Sequence, residues 1–251
     1  MTVVFYSMAI SHPSKTVRKM LELKQAEYQL VNVPTGFQRV HLPLAGFRGG
    51  TVPAIKLDGR RVQGSRAIAR AIDERFPEPP LFPADPQWRA RVEEAERWGE
   101  EELQPVPRRL FRFALANNAA LRSWVLRSQK LPPVPPLAFV VKVMSAYYAR
   151  TIEADGRRAT AAGIRADLAA LPAMLARVDR LLADGTISLD PPNAATLQVL
   201  STVATLHAFT DLRDLVDAHA CAEPALALFG RASQDLPAVF EPAWLEPIRS
   251  R

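Results

Sequence analysis

Thr51-Val52-Pro53-Ala54-Ile55-Lys56-Leu57-Asp58-Gly59-Arg60-Arg61-Val62-Gln63-Gly64-Ser65 is the stretch that decides the fold. Two short β-type runs flank Asp58-Gly59, the dipeptide that a two-residue hairpin turn favours. Pro53 lacks a backbone donor and suits the first position of a strand. Ser65 stands where a helix would start, with Ala67, Ile68, Ala71 and Ile72 expected on its inner face. Upstream, Val3-Val4-Phe5-Tyr6 reads as a buried strand. A helix follows, with Pro13 in its first turn and Val17, Met20 and Leu21 on one side, and then Gln29 to Val33 forms a second strand. A strand-helix-strand unit implies parallel pairing. Residues 34–51 form a Gly- and Pro-containing connector with room for an irregular helix. The order β-α-β, connector, β-β-α is compatible with a thioredoxin-like layer.

Beyond residue 86 the pattern becomes helical. Its clearest run is Ile164, Leu168, Leu171, Leu175, Val178 and Leu182, spaced by threes and fours and closed by Asp184-Gly185. Another helix is expected after Pro191-Pro192-Asn193, with Asn193 as its cap, and Pro132 to Pro136 reads as a rigid corner between helices. The proline-rich segment 79–86 separates the two regimes. The expected organisation is therefore an α/β thioredoxin-like domain over 1–78, a linker over 79–86 and an all-α domain over 87–251.

Composition narrows the chemistry. No stretch of about 18 apolar residues occurs, so no membrane span is expected. Met1 to Tyr6 reads as strand rather than as a secretory leader, which points to the cytoplasm. Cys221 is the one cysteine, so no intrachain disulfide can form, and its alanine neighbours point to inert packing. The 32 basic residues against 26 acidic favour anionic ligands, but they are scattered without an aromatic-studded stripe, so nucleic acid is not expected. The four histidines are dispersed, and no metal site is read. Glu93, Glu94, Glu96, Glu100, Glu101 and Glu102 among Arg89, Arg91 and Arg97 read as a solvated, partly paired helix face.

Three places carry candidate chemistry. Ser11 sits between the first strand and the first helix, where unpaired N–H groups and the helix dipole favour an anion. It either caps that helix or donates its hydroxyl to a thiolate. Val52-Pro53 either simply opens a strand or, if the bond is cis, presents the Val52 backbone to a peptide. Gln63-Gly64-Ser65 either caps a helix through Ser65 or offers that helix end to a carboxylate. Together the three make a place for a short anionic peptide.

These segments resemble the glutathione transferase family. Tyr6 to Arg18 is similar to its strand-to-helix turn, in which a Ser, Tyr or Cys faces the glutathione sulfur. Gly49 to Ile55 resembles its Gly-x-Val-Pro segment, and Gln63 to Arg70 its γ-glutamyl-holding segment. The resemblance is specific over about residues 3–80. It implies Ser11 as the catalytic residue, glutathione held by Val52, Pro53, Gln63, Gly64 and Ser65, and a second substrate facing Ser11. His12, Arg108, Arg109, Phe111 and Arg112 are candidates for the wall of that second pocket, or are packing residues. Glutathione is a co-substrate here and no other cofactor is implied; the partners are glutathione and a small electrophile, and a homodimer is expected. Three departures stand out. Gly64 replaces an acidic or amide residue, so the γ-glutamyl amine either goes without that partner or takes Gln63 instead. His12 replaces a proline, and Asn193-Ala194-Ala195-Thr196 replaces a Ser/Thr-x-x-Asp cap. Serine in place of cysteine argues against thiol-disulfide exchange at this site. A non-catalytic module on the same scaffold, or an enzyme using another small thiol, are the rival readings.

Overall fold

The computed structural model describes residues 2–8, 10–34, 37–118, 121–122, 139, 142–143, 146, 159–232 and 236–249. The corner read at Pro132 to Pro136 lies outside them. A four-stranded mixed sheet at the N-terminus is followed by helices, a thioredoxin-like α/β domain before an all-α region. The described residues fall into two compact units, 1–100 with 180–202, and 101–179 with 203–251.

In the first unit the sheet runs β2-β1-β3-β4, built from β1 Val3–Ser7, β2 Gln29–Asn32, β3 Ala54–Leu57 and β4 Arg60–Gln63. β1 and β2 are parallel, joined by α1 His12–Leu23, as a crossover connection requires. β3 and β4 are antiparallel, with Leu57 opposite Arg60 across Asp58 (φ 47°) and Gly59 (φ 87°). Positive φ at both central residues is the hairpin turn whose twist matches the strands, and Asp-Gly tolerates it. α3 Ser65–Arg75 packs on β3, β4 and α1. Its buried stripe is Ile68, Ala69, Ala71 and Ile72; Ala67, expected inside, is exposed and Ala69 takes its place. On the opposite face of β1, Val4 and Tyr6 join Val31, Val33, Leu42, Phe47 and Ala54 in one apolar cluster. Leu42 comes from α2 Gln38–Leu44, the irregular helix of the connector, with Pro43 inside it. Tyr6 is thus a core residue, edge-on to Phe47 with ring centroids 5.1 Å apart.

The prolines after α3 are anchored. Asp73 accepts from the Lys24 ammonium and from the Leu81 N–H, both at 2.7 Å, and Lys24 also donates to the Pro79 carbonyl. Leu81 and Phe82 are buried, and the Leu81 carbonyl accepts from Ala194 N–H. α4 Pro86–Trp98, capped by Asp85, runs into a π-helical turn, Gly99–Leu103. Thr16 on α1 donates to the Ser201 hydroxyl at 2.7 Å.

The second unit contains α5 Pro105–Asn117, most of α6 Ala161–Ala183, the end of α7 Ala194–His207, a 3-10 turn Thr210–Leu212, and α8 Arg213–Asp217, α9 Ala222–Phe229 and α10 Pro242–Arg249. The expected α6 stripe is buried from Ile164 to Val178. Asp179 accepts from the Cys221 N–H at 2.9 Å and lies 2.6 Å from His219 Nδ1. Cys221 is fully buried and burial pushes its thiol far up, so it packs as an inert side chain. Among the described residues, no helix is long and apolar enough to cross a membrane.

Candidate functional site

Strand register brings the three candidate segments to one end of the sheet. Tyr6 lies opposite Ala54 and Ala54 opposite Gln63. The chain leaving β1 towards Ser11, the chain entering β3 through Val52-Pro53, and the chain leaving β4 into Gly64-Ser65 therefore share that end.

Ser11 is the N-cap of α1, 8 % exposed, with extended backbone (φ −87°, ψ 109°). Its Oγ accepts from the Ser14 N–H at 3.3 Å and from the Ser14 hydroxyl at 3.0 Å. The first turn of α1 holds no acidic residue, so the positive helix end is not neutralised locally. Lys15, at the surface one turn on, has its ammonium pushed below the usual lysine range by partial desolvation. His12 is buried at the start of the helix.

The Val52–Pro53 bond is cis, and the Pro53 carbonyl accepts from Gly64 N–H at 3.0 Å. Gln63 holds the approaching loop. Its Nε2 donates to the carbonyls of Gly49 (2.9 Å) and Thr51 (2.6 Å), while its Oε1 accepts from Gly49 N–H (3.0 Å). The amide is committed at both ends to shaping the Val52-Pro53 approach.

Gly64, not Ser65, is the N-cap of α3. Its φ of +90° and ψ of 139° explain the glycine, because a Cβ there would meet no atom within 4 Å. Conformation rather than space excludes a side chain. Ser65 is the first helical residue, 2 % exposed, and its hydroxyl makes a long 3.5 Å bond to Glu100 Oε1.

Glu96 departs from the solvated face read for α4, because it is fully buried. Its Oε2 accepts from Arg70 at 2.8 Å and from Arg66 Nε at 3.4 Å. Arg66 also lies 3.6 Å from Glu100, and Arg70 stacks over Phe82, 4.8 Å from the ring centroid. Burial pushes the Glu96 carboxyl above the usual carboxylate range, opposed by Arg70 and then Arg66. Because the folded value is raised, this carboxyl favours folding fully below the ordinary Glu range. That contribution is lost as pH rises through the raised value. Arg70→Met is expected to cost about 2 kcal/mol at neutral pH. Urea titrations should show its deficit against wild type widening as pH rises from the ordinary glutamate range through the raised value. A pH-independent deficit would mean that Arg70 acts through packing alone.

Arg108, Arg109, Phe111 and Arg112 lie on α5 in the second unit. Arg109 is buried, and its guanidinium grips Asp167 through Nε (2.6 Å) and a terminal nitrogen (2.7 Å). That fork already has a partner within its own unit. Two residues of the site's surroundings escape the sequence reading. Glu96 carries its signal in Arg66 and Arg70, four apart on the facing helix; Ser14 carries it in its i, i+3 spacing from Ser11.

Residues 5–80 match the family model described as glutathione S-transferase, N-terminal domain. Among solved structures, a glutathione S-transferase from Rhodospirillum rubrum F11 is similar over 98 % of this chain and 99 % of its own, at 16 % identity and TM-score 0.62. The protein has the glutathione S-transferase fold. The β-etherase LigF from Sphingobium sp. strain SYK-6 shares this fold over 100 % of both chains, at 18 % identity and TM-score 0.62. Glutathione S-transferase unclassified 2 from Bombyx mori shares it over 100 % of this chain and 95 % of its own, at 16 % identity and TM-score 0.61. No curated protein sequence matches the chain. A glutathione S-transferase fold on chains this different in sequence leaves the reaction to be argued from the site.

Proposed function

We propose that the protein is a glutathione S-transferase-like enzyme that ionises the thiol of glutathione and directs it at an electrophilic carbon. The observation that carries this reading is the convergence of Ser11, Val52-Pro53 and Gly64-Ser65 at one sheet end. Ser11 donates to the sulfur at the positive end of α1, and the thiol proton passes to solvent. The thiolate forms a carbon–sulfur bond as the leaving group departs with its bonding pair. Val52 and Pro53 hold the peptide backbone, and Ser65 with the α3 N-terminus takes the γ-glutamyl carboxylate. Gln63 contributes by fixing the 49–51 loop. The electrophile is small and largely apolar. Detoxification in the cytoplasm and a homodimer belong to the same reading, carried by the family resemblance.

One observation favours a second reading. Gly64 has no side chain for the γ-glutamyl amine, and the Gln63 amide is already used. A different small thiol, lacking that amine, would not need the contact.

Calorimetric titration with reduced glutathione tests the choice. Saturable binding is expected, weakened about tenfold to a hundredfold by Ser65→Ala through loss of one hydrogen bond to a charged group. No heat at millimolar glutathione would move the assignment to another thiol.

A further inference from the structure

The hydroxyl of Ser11 has its accepting side filled by a single neighbour. A serine hydroxyl offers two lone pairs and one proton. The Ser14 N–H, at 3.3 Å, takes one lone pair, and the Ser14 hydroxyl, at 3.0 Å, takes the other. Ser14 is 1 % exposed and Ser11 8 %, so water does not compete freely for these bonds. With the Ser14 hydroxyl donating, the proton of Ser11 is directed away from Ser14, and no other described residue accepts it.

Capping alone does not require this. An N-cap side chain accepts from a backbone N–H, which the 3.3 Å bond already does. A hydroxyl inside a helix ordinarily turns back to a carbonyl three or four residues earlier. Other hydroxyls of this chain do so: Ser201 and Thr202 both donate to the Gln198 carbonyl. Ser14 instead spends its proton on the Ser11 oxygen.

We propose that Ser14 is a positioning residue that makes Ser11 an obligate donor to the anionic sulfur of the bound thiol. Donation from Ser14 stops Ser11 from rotating its proton inward. It also polarises the Ser11 O–H, because hydrogen bonds in a chain strengthen one another where water is excluded. Ser14 loses no proton; the proton of the thiol goes to solvent, and the two serines only stabilise the anion left behind. The inference rests on the glutathione reading above.

The test compares full-length wild type, Ser14→Ala and Ser11→Ala with glutathione and 1-chloro-2,4-dinitrobenzene, together with the ultraviolet absorbance of the bound thiolate. Ser14→Ala should lower kcat about tenfold and raise the pH midpoint of thiolate formation by about one unit, with KM for glutathione changed less than about twofold. Ser14→Thr, which restores a hydroxyl, should move the midpoint back towards wild type. A purely structural role would lower the melting temperature and leave the midpoint in place, which overturns the proposal. If Ser11→Ala raises the midpoint and Ser14→Ala does not, only this inference fails. If Ser11→Ala behaves as wild type, the thiol-activation reading fails with it.

Discussion

Asn193→Ala is expected to lose about 2–3 kcal/mol of stability in urea unfolding, an effect out of proportion to its size. Asn193 is 6 % exposed and works at both ends of its amide. Its Oδ1 accepts from the Thr196 N–H at 3.0 Å, which caps α7. Its Nδ2 donates to the Thr186 carbonyl at 2.9 Å, tying the helix start to the turn after α6. Removal strips a cap worth about 1–2 kcal/mol and leaves a carbonyl inside the protein without its donor, worth about 1 kcal/mol more. Asn193→Asp separates the two contributions: it keeps an acceptor for Thr196 but cannot donate to Thr186, so an intermediate loss is expected. A loss below about 1 kcal/mol for the alanine variant would show that the turn relaxes to rescue both groups. Thr196 does not complete a reciprocal cap with the backbone of Asn193. Its hydroxyl goes to the Ser188 carbonyl at 2.6 Å and to Asn193 Oδ1, not to the backbone of the cap residue.

What the sequence makes legible is what short-range chemistry dictates. The Asp58-Gly59 turn needs positive φ at two adjacent positions, and that demand is visible in two letters. The parallel pairing of β1 with β2 follows from the helix between them, and the α6 stripe from its spacing. Asn193 is legible as a cap for the same reason. The site is legible wherever it hangs on these devices: the register that gathers Ser11, Pro53 and Ser65 is a consequence of the hairpin and the crossover.

The rest depends on partners distant in the chain. Glu93, Glu96 and Glu100 share a face of α4 and its continuation, and nothing in that spacing separates a wet face from a buried one. Arg66 and Arg70 on α3 decide the matter for Glu96, and they lie 30 and 26 residues away. Gln63 is a glutathione contact in the sequence only as the family resemblance implies it. Only the path of the 49–51 loop shows that its amide is in use. The displacement of the α3 cap from Ser65 to Gly64 is a backbone matter, since a glycine at φ +90° can begin a helix without a capping side chain. Arg109 reads as a pocket-wall cation until α6 supplies Asp167, 58 residues downstream.

Ser11→Ala is the variant from which the largest functional effect is expected. Removing one donor aimed at developing or resident negative charge typically slows an enzyme by about a hundredfold to a thousandfold. Here kcat should fall by about a hundredfold, because the dipole of α1 and its N-terminal N–H groups remain to stabilise the thiolate. Glutathione affinity should change only a few fold, since the contacts proposed for its backbone and γ-glutamyl end are untouched. The α1 cap is lost as well, at about 1 kcal/mol, so folding must be checked at the assay temperature. Ser11→Cys gives the opposite kind of evidence. A thiol at this helix end should ionise more readily than a free cysteine, and its thiolate can attack oxidised glutathione. One sulfur–sulfur bond then breaks as another forms: the protein keeps one glutathione as a mixed disulfide and the other leaves as thiolate. Buried Cys221, its thiol held protonated, should not react and serves as the internal control. A mixed disulfide at position 11, seen by mass spectrometry and cleared by reductant, would place a glutathione sulfur within bonding reach of that side chain. If Ser11→Cys stays unmodified while free glutathione binds, the sulfur lies elsewhere and Ser11 is a helix cap alone.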